Sequence, residues 1–289
     1  MSNHDSRVVQ HAEKIWSYRH DWERVEPAIG MILTDDGWIA VDGGNSPLHG
    51  KHVFDAMQSI SAKPVVLVVD THRHFDHSFG NQAYNAPVLA SQRCKERMEA
   101  NIQDDWGSER VLDWLRKDMF SRIPTLSDRD FQDLRVIPPS ESFSAKKKLT
   151  VGGTKIEMFL LDGVHSDDSI GVYLPDGKTL FLGDAFYLLE GPEGKFTRLP
   201  DLLKLVTQYD VEAFVPGHER AHDHAVFERL HEYCQELIQR VNELLKDGAA
   251  EQEILAIPFD EKFKRTSFLS EKQHQRFLNA TIRELRENS

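Results

Sequence analysis

The segment Thr71-His72-Arg73-His74-Phe75-Asp76-His77 places three imidazoles and a carboxylate within six residues. It follows Val65-Val66-Leu67-Val68-Val69, a run that is apolar without alternation and so suits a strand buried on both faces. Histidine nitrogen and carboxylate oxygen are the usual ligands of catalytic zinc. In extended backbone, alternate side chains point the same way. His72 and His74 are therefore candidates for one metal, and Asp76 and His77, which follow as the chain turns, for a second one nearby. Arg73 and Phe75 interleave these ligands and are expected to point away from them. A merely histidine-rich surface loop has no reason to stand directly behind a fully apolar strand.

Working outward, residues 8–18 and 28–33 read as strands, Thr34-Asp35-Asp36-Gly37 as a turn and residues 38–41 as the returning strand. Ser46 is a helix N-cap with Pro47 at the first helical position, and that helix is expected to run to about residue 60. Beyond the histidine segment, residues 91–119 are expected to be helical, with Val111, Leu112, Leu115 and Met119 at helical spacing. Pro124 breaks that pattern, and residues 121–142 read as an irregular connection. Strands resume at 149–151 and 155–161 around Gly152-Gly153, at 169–174 and 179–182 around Asp176-Gly177, and at 211–215. From Asp223 onward the chain reads as mostly helical, ending in an amphipathic helix over 270–286. Both halves give strand hairpins followed by helices, which predicts a layered α/β sandwich.

Hydrophobic residues at 40% and charged residues at 28% describe an ordinary globular chain. No stretch approaches the roughly 20 apolar residues of a membrane helix. The polar first ten residues carry no apolar signal core, so a cytoplasmic protein with no membrane partner is expected. Cys94 and Cys234 have no metal-type spacing and read as buried thiols. The net charge of −12 repels phosphate backbones, so no nucleic-acid partner is expected. The one basic run, Lys146-Lys147-Lys148, reads as the solvated entrance to a strand.

His72 to His77 matches without departure the His-x-His-x-Asp-His signature, and here the sequence resembles the metallo-β-lactamase superfamily. Four further motifs resemble that family in the same order: Asp42 in Val41-Asp42-Gly43-Gly44, His165 in Gly163-Val164-His165-Ser166, Asp184 in Phe181-Leu182-Gly183-Asp184, and His218 in Val215-Pro216-Gly217-His218. The resemblance covers residues 28 to about 224. It implies a four-layer αββα sandwich as a single domain over 1–289, with a helical cap insertion at about 91–142 and a helical C-terminal extension at about 223–289. It further implies that His72, His74 and His165 bind one zinc, that Asp76, His77 and His218 bind the other, and that Asp184 bridges both. Asp42 is expected to orient ligands through hydrogen bonds rather than to bind metal.

Two identities narrow the resemblance. The best-known antibiotic-cleaving zinc β-lactamases carry cysteine at the position of Asp184 and are secreted. Redox-active diiron relatives carry glutamate at the position of His74, and imidazole favours zinc over a dioxygen-handling iron pair. Two Zn2+ per chain are expected, with iron or manganese as alternatives. Zinc lowers the pKa of bound water from about 16 to roughly 7, making hydroxide available at neutral pH. Asp76 is the candidate catalytic residue, orienting that hydroxide or shuttling a proton. The implied activity is metallo-hydrolysis of a small ester, lactone, thioester or amide. The alternatives are a phosphodiesterase or RNA-processing nuclease, and an iron-dependent thiol oxygenase on the same ligands. Trp106 and Trp114 in the cap, and Tyr187 near Asp184, are the candidate substrate contacts.

Overall fold

The computed structural model describes residues 6–103, 108–161, 163–188 and 194–287. Its strands are β1 (Val8–Ala12), β2 (Ile15–Tyr18), β3 (Ile29–Leu33), β4 (Trp38–Val41), β5 (Val65–Val69), β6 (Val88–Ser91), β7 (Glu141–Phe143), β8 (Lys146–Val151), β9 (Thr154–Leu160), β10 (Ile170–Leu174), β11 (Thr179–Gly183) and β12 (Ala213–Pro216). Its α-helices are α1 (Pro47–Ile60), α2 (Phe75–Ser78), α3 (Gln92–Gln103), α4 (Ser108–Trp114), α5 (Leu199–Val206), α6 (His224–Lys246), α7 (Glu251–Leu255) and α8 (Glu271–Glu287). Contacts divide the chain into two compact units. The first comprises Met1–Leu160, Asp168–Asp184 and Ala213–Ala221, and the second Leu161–Asp167, Ala185–Glu212 and His222–Ser289.

Both sheets belong to the first unit. One runs β1-β2-β3-β4-β5-β6-β7 and the other β12-β11-β10-β9-β8. β4 through β7 pair in parallel, as do β11 and β12, and the remaining pairs are antiparallel. The pleat sorts the apolar residues of the central strands to two faces. Ile32, Ile39, Val41, Leu67 and Val69 share a core with Ile156, Met158, Val172 and Phe181 of the other sheet. Their alternates Met31, Trp38, Ala40 and Val68 pack on Val53, Ala56 and Met57 of α1. Each such side chain contributes roughly 1.5–3 kcal/mol by burial, which is why β5 reads as a continuous apolar run. The Ser46 side chain accepts from His49 N at 3.1 Å, capping α1 at the expected position. Val111, Leu115, Ile123, Leu126, Phe131 and Leu134 form a small core of their own with Phe79.

In the second unit, α6 and α8 share buried aromatics. Phe277 of α8 stacks on Phe196 at 4.3 Å, and the Tyr233 hydroxyl meets His274 Nδ1 at 2.7 Å. Buried Glu284 of α8 accepts from Phe196 N and Thr197 N, each at 2.9 Å, filling a helix start with a carboxylate.

Several local expectations differ from the structure. Residues 8–18 form two strands, because Lys14 turns the chain at φ +63°. The stretch Val88–Ser91, which no sequence pattern assigns, is a parallel strand, and Ser91 at its end caps α3 at the expected start of that helix, its Oγ accepting from Cys94 N at 3.1 Å. Lys146 to Lys148 lie inside edge strand β8, where Lys146 and Lys148 pair with Glu157 of β9 at 2.8 and 2.6 Å. Charges on an exposed edge discourage further strand pairing. Helix α5 was not legible as a separate element. Cys94 and Cys234 are both buried and free.

Candidate metal centre

Strand β5 ends at Val69 and delivers the chain to Thr71 and His72, and α2 begins after His74. His72 and His74 thus stand on the approach to the helical turn, and Asp76 and His77 within it. His72 Nε2 lies 3.0 Å from His74 Nδ1, and the His72 and His77 rings are 4.2 Å apart. Asp184 follows β11 and His218 follows β12, neighbours in the second sheet. That pairing brings both to the α2 turn. His218 Nε2 is 3.0 Å from Asp76 Oδ2 and 3.6 Å from Asp184 Oδ2. His77 Nε2 is 3.5 Å from Asp76 Oδ2 and 3.4 Å from Asp184 Oδ1.

These separations test the fit of a metal. Four donors each about 2.0–2.2 Å from one tetrahedral ion stand roughly 3.3–3.6 Å from one another. Asp76, His77, Asp184 and His218 are all buried, and each offers a ligand atom within 4.8 Å of the others. His77 Nε2 is buried and makes no hydrogen bond, as a nitrogen kept for a cation should be. Burial pushes the His77 imidazole toward neutrality, but Asp184, Asp42 and Asp76 outweigh it and hold its pKa well above the usual range. Burial likewise opposes the charge on His218, and Asp184 and Asp76 overcome it. Burial pushes the Asp76 carboxyl up, and His77 and His218 outweigh that and hold it down. The cluster is a cation-seeking environment, and protons and metal ions compete for such donors.

The surroundings fix these side chains. His77 Nδ1 meets Asp42 Oδ2 at 2.8 Å, and the same carboxylate accepts from Thr71 N at 2.6 Å and Thr71 Oγ1 at 2.9 Å. Asp42 therefore touches a candidate ligand rather than joining the cluster. Gly217 leaves room for these side chains: a Cβ there would stand 2.3 Å from Asp184 Oδ1 and 2.9 Å from His77 Cε1, so one of them would have to move. His165 belongs to the second unit. Its Nδ1 donates to the Tyr187 carbonyl at 2.8 Å, which leaves Nε2 as the atom it could offer to a metal.

Residue patterns missed two neighbours of the ligands. Trp22, 55% exposed, stacks on the His218 ring at 4.8 Å. Asp168, fully buried, accepts from Arg73 N at 2.9 Å and Arg73 Nη1 at 2.8 Å. An arginine between two candidate ligands was the available signal for Asp168, since a partly buried cation needs an anion. Nothing local pointed to Trp22. Phe75 turns away from the ligands, meeting Trp114 at 5.6 Å and Phe79 at 5.8 Å.

A family model described as the metallo-beta-lactamase superfamily matches residues 25–218, more than half of the chain. The chain belongs to that superfamily. Members of the superfamily are typically hydrolytic enzymes. A linear primary-alkylsulfatase from Pseudomonas sp. (strain ATCC 19151) is 26% identical over 187 residues, covering 56% of this chain and 33% of the relative. The chain thus spans about a third of that curated relative's length. Among solved structures, the stereoselective inverting sec-alkylsulfatase Pisa1 from Pseudomonas sp. aligns with a TM-score of 0.73 at 16% identity, over 96% of this chain and 50% of that one. A metallo-beta-lactamase from Pontibacter korlensis aligns with a TM-score of 0.59 at 19% identity, over 79% of this chain and 98% of that one. The fold is accordingly the αββα sandwich of the metallo-β-lactamase superfamily, with a helical C-terminus.

The substrate-contact candidates fare differently. Trp106 lies outside the described residues. Trp114 packs against the small core around Val111 and Leu115. The Tyr187 ring lies against Phe268 at 5.6 Å, and the residue touches His165 through its main-chain carbonyl. Among the described residues no helix is long and apolar enough to cross a membrane.

Proposed function

We propose that this chain is a binuclear zinc hydrolase that cleaves an ester-type bond in a small molecule. The observation that supports it most is the buried quartet Asp76, His77, Asp184 and His218, spaced as donors to one ion, with the His72–His74 pair beside it. In this reading His72, His74 and His165 would hold one zinc, Asp76, His77 and His218 would hold the other, and Asp184 would be shared between them. Bound zinc would supply Lewis acidity and lower the pKa of a water to near 7. Asp76, its carboxyl held anionic by His77 and His218, would orient the attacking water or shuttle its proton. Asp42 keeps the His77 proton on Nδ1 and its Nε2 toward the ion, and the Tyr187 carbonyl does the same for His165.

Alkyl sulfate esters are the first substrates to try, because two of the related proteins are alkylsulfatases. Carboxylic esters, lactones, thioesters and amides follow. A small molecule fits better than a nucleic acid, since the net charge of −12 opposes a phosphate backbone. The test is metal quantitation of purified protein, paired with hydrolysis of these classes and of a phosphodiester. Two zinc ions per chain and turnover of one ester class are expected. A chain that holds at most one metal after zinc loading, or that turns over only the phosphodiester, overturns the reading.

A further inference from the structure

Arg73 stands between His72 and His74, so both ligands stay aimed only while its backbone stays fixed. Asp168 fixes it at two points. Asp168 Oδ2 accepts from Arg73 N at 2.9 Å, and Oδ1 accepts from the guanidinium Nη1 at 2.8 Å. The carboxylate is fully buried and the arginine only 15% exposed. Asp168 is itself tied down. Its carbonyl accepts from Ser91 Oγ at the end of β6 at 2.8 Å, and two residues on, Ile170 N donates to Thr71 O at 2.9 Å. The ligand approach 71–73 is therefore laced to 168–170, and through Asp168 to β6.

Charge works in the same direction. The Asp168 carboxylate neutralises the Arg73 guanidinium through Nη1, so the buried anion that holds the Arg73 backbone keeps its counter-charge. The quartet has supports of its own. His77 hangs on Asp42, and Asp184 is packed by Gly217.

We propose that Asp168 is a positioning residue that sets the metal affinity of the His72–His74 pair, separately from the quartet of Asp76, His77, Asp184 and His218. The inference rests on the two-metal reading above. The test is a cobalt titration of metal-depleted full-length protein, followed by visible absorption and by chelator competition. It compares the parent with Asp168→Asn, Arg73→Met and Arg73→Lys. The parent should bind two ions in resolvable steps. Asp168→Asn should weaken one step about 10–100-fold, the usual cost of losing a partner behind a metal ligand, and leave the other in place. Arg73→Met keeps the main-chain bond but leaves the carboxylate without its cation, and should weaken the same step. Arg73→Lys retains the charge and should restore most of the loss.

Unchanged titrations in both Asp168→Asn and Arg73→Met overturn the proposal. So does equal weakening of both steps, which would mark a general loss of structure. Should Asp168→Asn not fold, Arg73→Met and its lysine counterpart decide alone. If the parent itself binds only one ion, the two-metal reading has failed, and that outcome is visible before any variant is compared.

Discussion

The Nδ1 of His77 donates to the Asp42 carboxylate at 2.8 Å, and Asp42 holds this position with its backbone at φ +69°. Aspartate and asparagine tolerate that left-handed conformation better than other residues with a Cβ. The same carboxylate also takes both Thr71 donors, so one side chain joins the end of β4 to the start of the ligand segment. Residue type, backbone conformation and ligand orientation are thus bound together at Asp42.

Asp42→Asn should therefore bind two zinc ions at saturation but with one affinity about 10–100-fold weaker, the range for loss of an outer partner. Asp42→Ala should be worse, because it removes the acceptor and adds about 1–2 kcal/mol of left-handed strain. Chelator competition measures the first effect and urea unfolding of metal-free protein the second. Parent-like zinc affinity in both variants would show that His77 does not depend on Asp42.

Asp184 is the one ligand proposed to touch both ions, so its loss should damage both. Its two oxygens stand 3.4 Å from His77 Nε2 and 3.6 Å from His218 Nε2. Asp184→Ala would remove the carboxylate from between cations about 3.5–4 Å apart in a two-metal site. At least one zinc should leave. Asp184→Asn, which keeps the shape and one carbonyl oxygen, separates charge from geometry and should retain more metal. Elemental analysis finding two zinc ions in Asp184→Ala, with near-normal turnover, would remove the bridging assignment.

Gly217 offers a test by space alone. No left-handed backbone is needed there, yet an added Cβ would meet Asp184 Oδ1 at 2.3 Å and His77 Cε1 at 2.9 Å. Gly217→Ala should displace one or both side chains by a substantial part of an ångström. A misplacement of about 1 Å costs on the order of 100-fold in rate. Turnover within a few-fold of the parent, with two metals bound, would mean that these side chains are free to shift.

The elements that sequence made legible are those whose pattern is local. The apolar run of β5, the Ser46-Pro47 start of α1 and the Gly152-Gly153 turn each declare themselves within a few residues. The ligand segment was legible for the same reason, because four donor residues crowd behind a buried strand. What stayed hidden depends on distant partners. Val88–Ser91 is too short to tell strand from helix until it pairs with Val68 and Val69 on one side and β7 on the other. Lys146 to Lys148 look like a solvated entrance until Glu157 on the next strand accounts for them. Asp168 lies 95 residues from Arg73, and no spacing rule reaches that far.

A last prediction concerns acid stability, through His49 and Glu26. Burial lowers the pKa of His49 from 6.5 to about 3, and its Nε2 faces Glu26 Oε2 at 4.0 Å. Burial pushes the Glu26 carboxyl up, but His49, Arg24 and Arg7 outweigh it and hold it below its ordinary 4.5. Arg7 and Arg24 reach Glu26 at 2.6 and 2.8 Å. Both folded pKa values are depressed, so both groups lend stability at neutral pH that is lost as pH falls. The windows differ. In the unfolded chain His49 takes a proton below pH 6.5, and its contribution drains away between there and about 3. Over that span the loss is about 3–5 kcal/mol. The Glu26 contribution is complete above 4.5 and is lost only as pH falls further, through its folded value. His49→Gln should therefore flatten the stability profile from pH 6.5 downward. Glu26→Gln should cost about 1–3 kcal/mol at pH 7, by removing the buried anion that Arg7 and Arg24 share while Arg24 keeps Asp130, and should flatten the profile only below 4.5. Urea unfolding at half-unit pH steps, compared with the parent, resolves the two. A His49→Gln profile parallel to the parent's from 6.5 to 4.5 would mean that the buried imidazole already carries its proton in the folded chain.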